Sequence, residues 1–146
     1  MGHSSTLVIG YGNDLRSDDG AGRVVADRIG KLDLPGVEVR SLSQLTPELS
    51  LDIAGMSRVV FVDASTEVAE TTLIPVVADT VEETAWSHFT TPGSLLAITG
   101  TIGPLPEHAH TVSIPVADLG LGMELSPIGA AGVEAAVELI VDLIGE

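Results

Sequence analysis

Residues 7–22, LVIGYGNDLRSDDGAG, leave this chain few folds to choose from. Leu7, Val8 and Ile9 form a short branched apolar run that stops at Gly10, Gly12 and Asn13, all turn residues, so a buried strand is expected to end there. Beyond the turn, Ala21, Val24, Val25 and Ile29 recur at helical spacing, with Arg23, Asp27 and Arg28 on other faces. A strand that passes through a glycine-rich loop into an amphipathic helix opens an α/β unit. Its loop lies at the carboxyl end of the strand, where open parallel sheets hold their ligands. Gly10-Tyr11-Gly12 is nevertheless a poor dinucleotide fingerprint. Leu15 stands where the third glycine belongs, and Asp18 and Asp19 put negative charge where a pyrophosphate needs bare N–H groups. One of the two aspartates can act as an N-cap, and the other remains available for chemistry.

The pattern continues through the chain. Val37-Glu38-Val39 reads as a second strand, and Thr46-Pro47 opens a helix that carries Leu49, Ile53 and Met56 on one face. Val59-Val60-Phe61-Val62 is the uninterrupted apolar run of a parallel strand covered on both faces, and it delivers Asp63 to its carboxyl end. The connection after Ser65 is too short for a crossover helix, so residues 73–77 are expected to run antiparallel as a hairpin partner. Thr91-Pro92 starts a helix with Leu95, Leu96 and Ile98, and His88 sits on the loop just before it. His108-Ala109-His110 is read as a loop leading into a strand at residues 111–114. Residues 117–125, with Gly120 and Gly122, form a loop near the ligand edge, and Ser126-Pro127 begins a last helix with an expected buried stripe of Ile128, Ala131, Ala135, Leu139 and Leu143. The expected fold is therefore α/β: a single-domain three-layer sandwich around a twisted, mostly parallel sheet of about five strands, one of them antiparallel, with helices on both faces. Residues 1–5 are expected to be a mobile leader and residues 6–146 the domain.

Composition narrows the function classes. A chain of 146 residues, 45% of them hydrophobic, suits one domain with a sizeable core. Twenty-one acidic against six basic residues give a net charge of −15, which disfavours nucleic-acid and anionic-membrane partners. The absence of cysteine excludes disulfides, thiolate metal sites and a cysteine nucleophile. No run is long and apolar enough to span a bilayer, and a cytoplasmic location is expected.

Two aspartates, Asp19 and Asp63, follow two strands of one sheet, and right-handed crossovers bring them to a common rim. With His88 they offer two carboxylates and an imidazole, a donor set suited to a first-row divalent metal. His108 and His110, spaced by two, are a competing ligand pair. The carboxylates could alternatively serve as an acid–base pair of a metal-independent aspartic peptidase.

Four blocks in order, Gly10-Tyr11-Gly12-Asn13 with Ser17-Asp18-Asp19-Gly20-Ala21-Gly22, Val60-Phe61-Val62-Asp63-Ala64, His88 before a helix, and Leu125-Ser126-Pro127, resemble the nickel–iron hydrogenase maturation endopeptidases. The resemblance covers nearly the whole domain. It implies removal of a C-terminal extension from the hydrogenase large-subunit precursor, with nickel supplied by the substrate and held by Asp19, Asp63 and His88, and with Asp18 in a capping and packing role. A monomer or weak homo-oligomer is expected. One departure stands out: many relatives carry Asp-Gly-Gly-Thr after the second strand, where this chain has Ser41-Leu42-Ser43-Gln44. That change leaves room for a non-proteolytic chaperone of nickel or the precursor with the same metal site.

Overall fold

The computed structural model describes residues 5–80, 90–117, 119–122 and 124–145. Its strands are β1 (Thr6–Tyr11), β2 (Val37–Leu42), β3 (Arg58–Ser65), β4 (Thr72–Pro75) and β5 (His108–Pro115). Its helices are α1 (Ala21–Lys31), α2 (Ser50–Ile53), α3 (Pro92–Ile102) and α4 (Pro127–Ile144), with 3-10 turns at Ser17–Gly20 and Pro47–Leu49. The five strands make one sheet in the order β2-β1-β3-β5-β4, parallel except for β4.

Both faces of the sheet are covered, which is why its central strands are apolar without interruption. Val8, Val60, Val62, Val112 and Ile114 turn to one side, against Ala21, Val25 and Ile29 of α1 and Val133, Ala136, Val137 and Ile140 of α4. Leu7, Ile9, Val59 and Phe61 turn to the other, against Leu49, Ile53, Leu95 and Leu96. Thr91 caps α3 in a reciprocal box with Ser94, and Ser126 caps α4 by accepting from the Gly129 N–H. Thr46 precedes its proline as expected but makes no side-chain cap bond. At the start of β1, Ser5 ties the chain to the sheet, its carbonyl accepting from the N–H groups of Ser57 and Arg58.

Three expectations are corrected. β4 pairs with β5 and not with β3, because β5 lies parallel along β3 from Arg58↔His108 to Ser65↔Pro115 and takes the whole edge that a hairpin would have used. His108 and His110 sit on β5 itself, paired with Arg58 and Val60 of β3, and not in a loop before it. In α4 the buried stripe is Val133, Ala136, Val137 and Ile140, while Ile128 is 53% exposed and Ala131 and Ala135 face outward. This helix is apolar nearly all round, so periodicity alone does not select a face. Its glycines do: a Cβ on Gly132 would run into Ile114, so the helix approaches the sheet where side chains are missing.

The chain leaves β1 for β2 on one side and returns through α2 to β3 on the other. The strand order thus reverses between β1 and β3, and the crevice at their carboxyl ends is where such sheets bind ligands.

Candidate functional site

The turn after β1 is shaped by close backbone approach. A Cβ on Gly10 would collide with the carbonyl oxygen of Gly22, and one on Gly22 with that of Val62, so α1 starts hard against the ends of β1 and β3. Gly12, at φ +146, crosses a conformation that side chains disfavour, and it passes the Asp19 carbonyl where a Cβ has no room. The glycines serve this packing. They bring the Ser17–Gly20 turn onto β3.

The two aspartates of the turn face different tasks. Asp19, half-buried, accepts from the Asn13 N–H at 2.9 Å. Asp18 is fully buried, and its carboxylate accepts from the N–H of Ala117 (2.7 Å), the N–H of Ser126 (2.7 Å) and the hydroxyl of Ser126 (2.6 Å). Neither side chain caps the turn or α1. Asp18 instead clamps the turn to the start of α4, as a buried carboxylate with enough donors can. A second stitch lies alongside: the Ser17 N–H donates to the Gly122 carbonyl and the Gly122 N–H to that of Leu15, each at 2.8 Å. Ala117, Gly122 and Ser126 are thereby held against the first turn.

Asp63 lies within β3, which continues to Ser65. Its Oδ1 accepts from the hydroxyl of Ser113, its ladder partner on β5, and its Oδ2 from the phenol of Tyr11 at the end of β1, both at 3.0 Å. Burial lifts the Asp63 carboxyl above its usual range; the Tyr11 and Ser113 donors pull it back, and the charge of Asp19 raises it further. Burial, then the charge and hydrogen bond of Asp63, push the Tyr11 phenol well up, so it stays a neutral donor. The structure thus brings Asp19 and Asp63 within electrostatic reach of each other at the crevice. Tyr11 is a participant that the sequence reading did not single out. The only signal was its place, as the chain's sole tyrosine, between the two glycines.

His88 lies outside the described residues. Among the described residues, no group of three histidine or acidic side chains is placed to hold a metal. His108 and His110 are not part of the crevice: they sit at the amino end of β5, level with Arg58 to Val60, away from the Asp63↔Ser113 pair.

Beside Tyr11, a cleft of about 410 Å³ opens where β2 ends, walled by residues 43–47 and by Thr90. Next to it the Gly12 N–H donates to the Leu42 carbonyl at 3.1 Å, joining the ends of β1 and β2. Arg23 braces the strand behind it through the hydroxyl of Ser41 at 3.2 Å and pairs with Asp14 at 3.3 Å.

The sequence matches no family model and no curated protein. Solved structures do match. The hydrogenase maturating endopeptidase HybD from E. coli is 19% identical with a TM-score of 0.75, covering 96% of this chain and 91% of its own. A hydrogenase 2 maturation peptidase from a Thaumarchaeota archaeon is 25% identical with a TM-score of 0.69, over 97% and 98%. The [NiFe] hydrogenase maturation protease HycI from Thermococcus kodakarensis KOD1 is 24% identical with a TM-score of 0.70, over 99% and 95%. This chain has their fold from end to end.

Proposed function

We propose that this chain is an endopeptidase that removes the C-terminal extension of a nickel–iron hydrogenase large-subunit precursor. One observation carries the reading: the fold is shared over nearly full length with maturation proteases, and on it Asp19 follows β1 and Asp63 lies toward the carboxyl end of β3, with the charge of Asp19 felt at Asp63. Two carboxylates at one rim, with burial lifting the Asp63 carboxyl above its usual range, call for a cation. Nickel, delivered with the precursor, is that cation in this reading, held by oxygens of Asp19 and Asp63 and completed by His88. Two hard oxygens and one imidazole leave positions open for the substrate's own groups.

The protein's part in cleavage follows from its own side chains. Tyr11 and Ser113 grip both oxygens of Asp63 and fix the plane of the carboxylate. The clamp at Asp18 fixes the neighbouring Asp19. A carboxylate at this rim takes a proton from the water that attacks the scissile carbonyl, the ordinary task of a general base.

Mass spectrometry of the precursor, with and without nickel, tests the proposal. Wild-type protein is expected to shorten the nickel-loaded precursor. Asp19→Ala, Asp63→Ala and His88→Ala are expected to slow that loss on the order of a hundredfold or more. A stable complex with no shortening would replace the peptidase by a chaperone. Wild-type cleavage by His88→Ala would remove the histidine from the site.

A further inference from the structure

We propose that the cleft at the end of β2 is the subsite for an uncharged, extended stretch of the precursor polypeptide beside the bond that is cut, with Tyr11 as the wall it shares with Asp63. The inference rests on the peptidase reading and assigns its substrate contact.

The chemistry of the walls selects the occupant. The chain carries 21 acidic residues, yet none is among the described residues lining this cleft. Hydroxyls of Ser43 and Thr90 and the amide of Gln44 supply groups that both donate and accept, the Thr46 hydroxyl donates to the Glu48 carboxylate beside them, and Leu45, Pro47 and the Tyr11 ring supply apolar surface. A peptide backbone offers the same mixture of donors and acceptors. The volume of about 410 Å³ suits a short segment of chain, within the usual range of roughly 300–1,000 Å³ for ligand sites.

Position supports the same occupant. β2 is an edge strand of the described sheet, and extended peptides bind such edges by adding a strand. The inner wall is Tyr11, whose hydroxyl is hydrogen-bonded to Asp63. A chain seated in the cleft therefore lies one tyrosine ring away from the carboxylate rim.

The test uses full-length protein and nickel-loaded precursor. Gln44 is exposed, so Gln44→Trp fills the cleft without touching the core, and Gln44→Glu puts a charge there at nearly constant size. Both variants are expected to raise KM about tenfold or more while kcat stays within about twofold. Ile128→Ser, on the outward face of α4, is expected to leave both constants unchanged. If the wild type cleaves and both Gln44 variants keep its KM, or lose only kcat, the subsite is overturned while the peptidase reading stands. If the wild type binds the precursor without shortening it, the dissociation constant becomes the readout. Weakening by the Gln44 variants then supports the subsite although the peptidase reading has fallen, and unchanged binding overturns both. Absence of both binding and cleavage in the wild type also overturns both.

Discussion

Asp63 holds its charge at a cost. It is half-buried, and Asp19 adds a like charge nearby, so both effects oppose ionisation in the folded chain. Asp63→Asn keeps the size and an acceptor for one of the two hydroxyls. It is expected to raise stability at neutral pH while abolishing cleavage, the trade between stability and activity seen at working sites. Urea midpoints of the two proteins decide it, and a less stable variant would mean that the Tyr11 and Ser113 bonds outweigh burial. Asp18 is the opposite case. Asp18→Ala removes the buried acceptor shared by the Ala117 N–H and both donors of Ser126, and a loss of about 3 kcal/mol is expected from the same measurement. The positions of Asp19 and Asp63 toward the carboxyl ends of β1 and β3 were legible in the sequence because each comes after an apolar run. The partners that orient them were not: Tyr11 reaches Asp63 across 52 positions and Asp18 reaches Ser126 across 108, and a single hydrogen bond over such a separation leaves no periodic trace.

At the scale of elements, β5 carries a second misfit, away from the crevice. The Nδ1 of His110 is buried with no hydrogen-bond partner among the described residues, and burial, then Arg58, then His108 hold the ring below the usual imidazole range. A depressed histidine favours its neutral form in the fold. Its contribution to stability is whole above the unfolded value of about 6.5 and is lost as pH falls through the lower folded value. Wild type should thus lose more stability between pH 8 and pH 5 than His110→Leu, as read from urea midpoints at the two pH values. Equal losses would show that the ring carries no linkage. The strands were legible in kind because apolar runs bounded by turn residues have few other uses. Their pairing was less so, since β4 and β5 find each other through a competition for the edge of β3 that neither sequence segment records. α4 shows the same limit: with apolar residues on every side, its buried face is decided by Gly129 and Gly132, where the helix can come closest to Asp18 and Ile114.

For the whole molecule, a net charge of −15 on 146 residues is a repulsion that compaction makes worse. Raising sodium chloride from about 10 mM to about 500 mM, which shortens the screening length several-fold, is expected to raise Tm by on the order of a few degrees. An unchanged Tm would mean that the acidic groups are spaced widely enough not to matter. The stitch between the first turn and the last loop works at this scale too. A ribosome delivers Asp18 and Asp19 early and Ser126 only 108 residues after Asp18. The sheet's first strands and α1 can gather before that, but the turn that carries Asp18 and Asp19 finds its distant partners, Ala117, Gly122 and Ser126, only near the end of the chain. The turn is therefore fully clamped late in the order of synthesis, and a chain cut short before these partners carries both aspartates without that clamp.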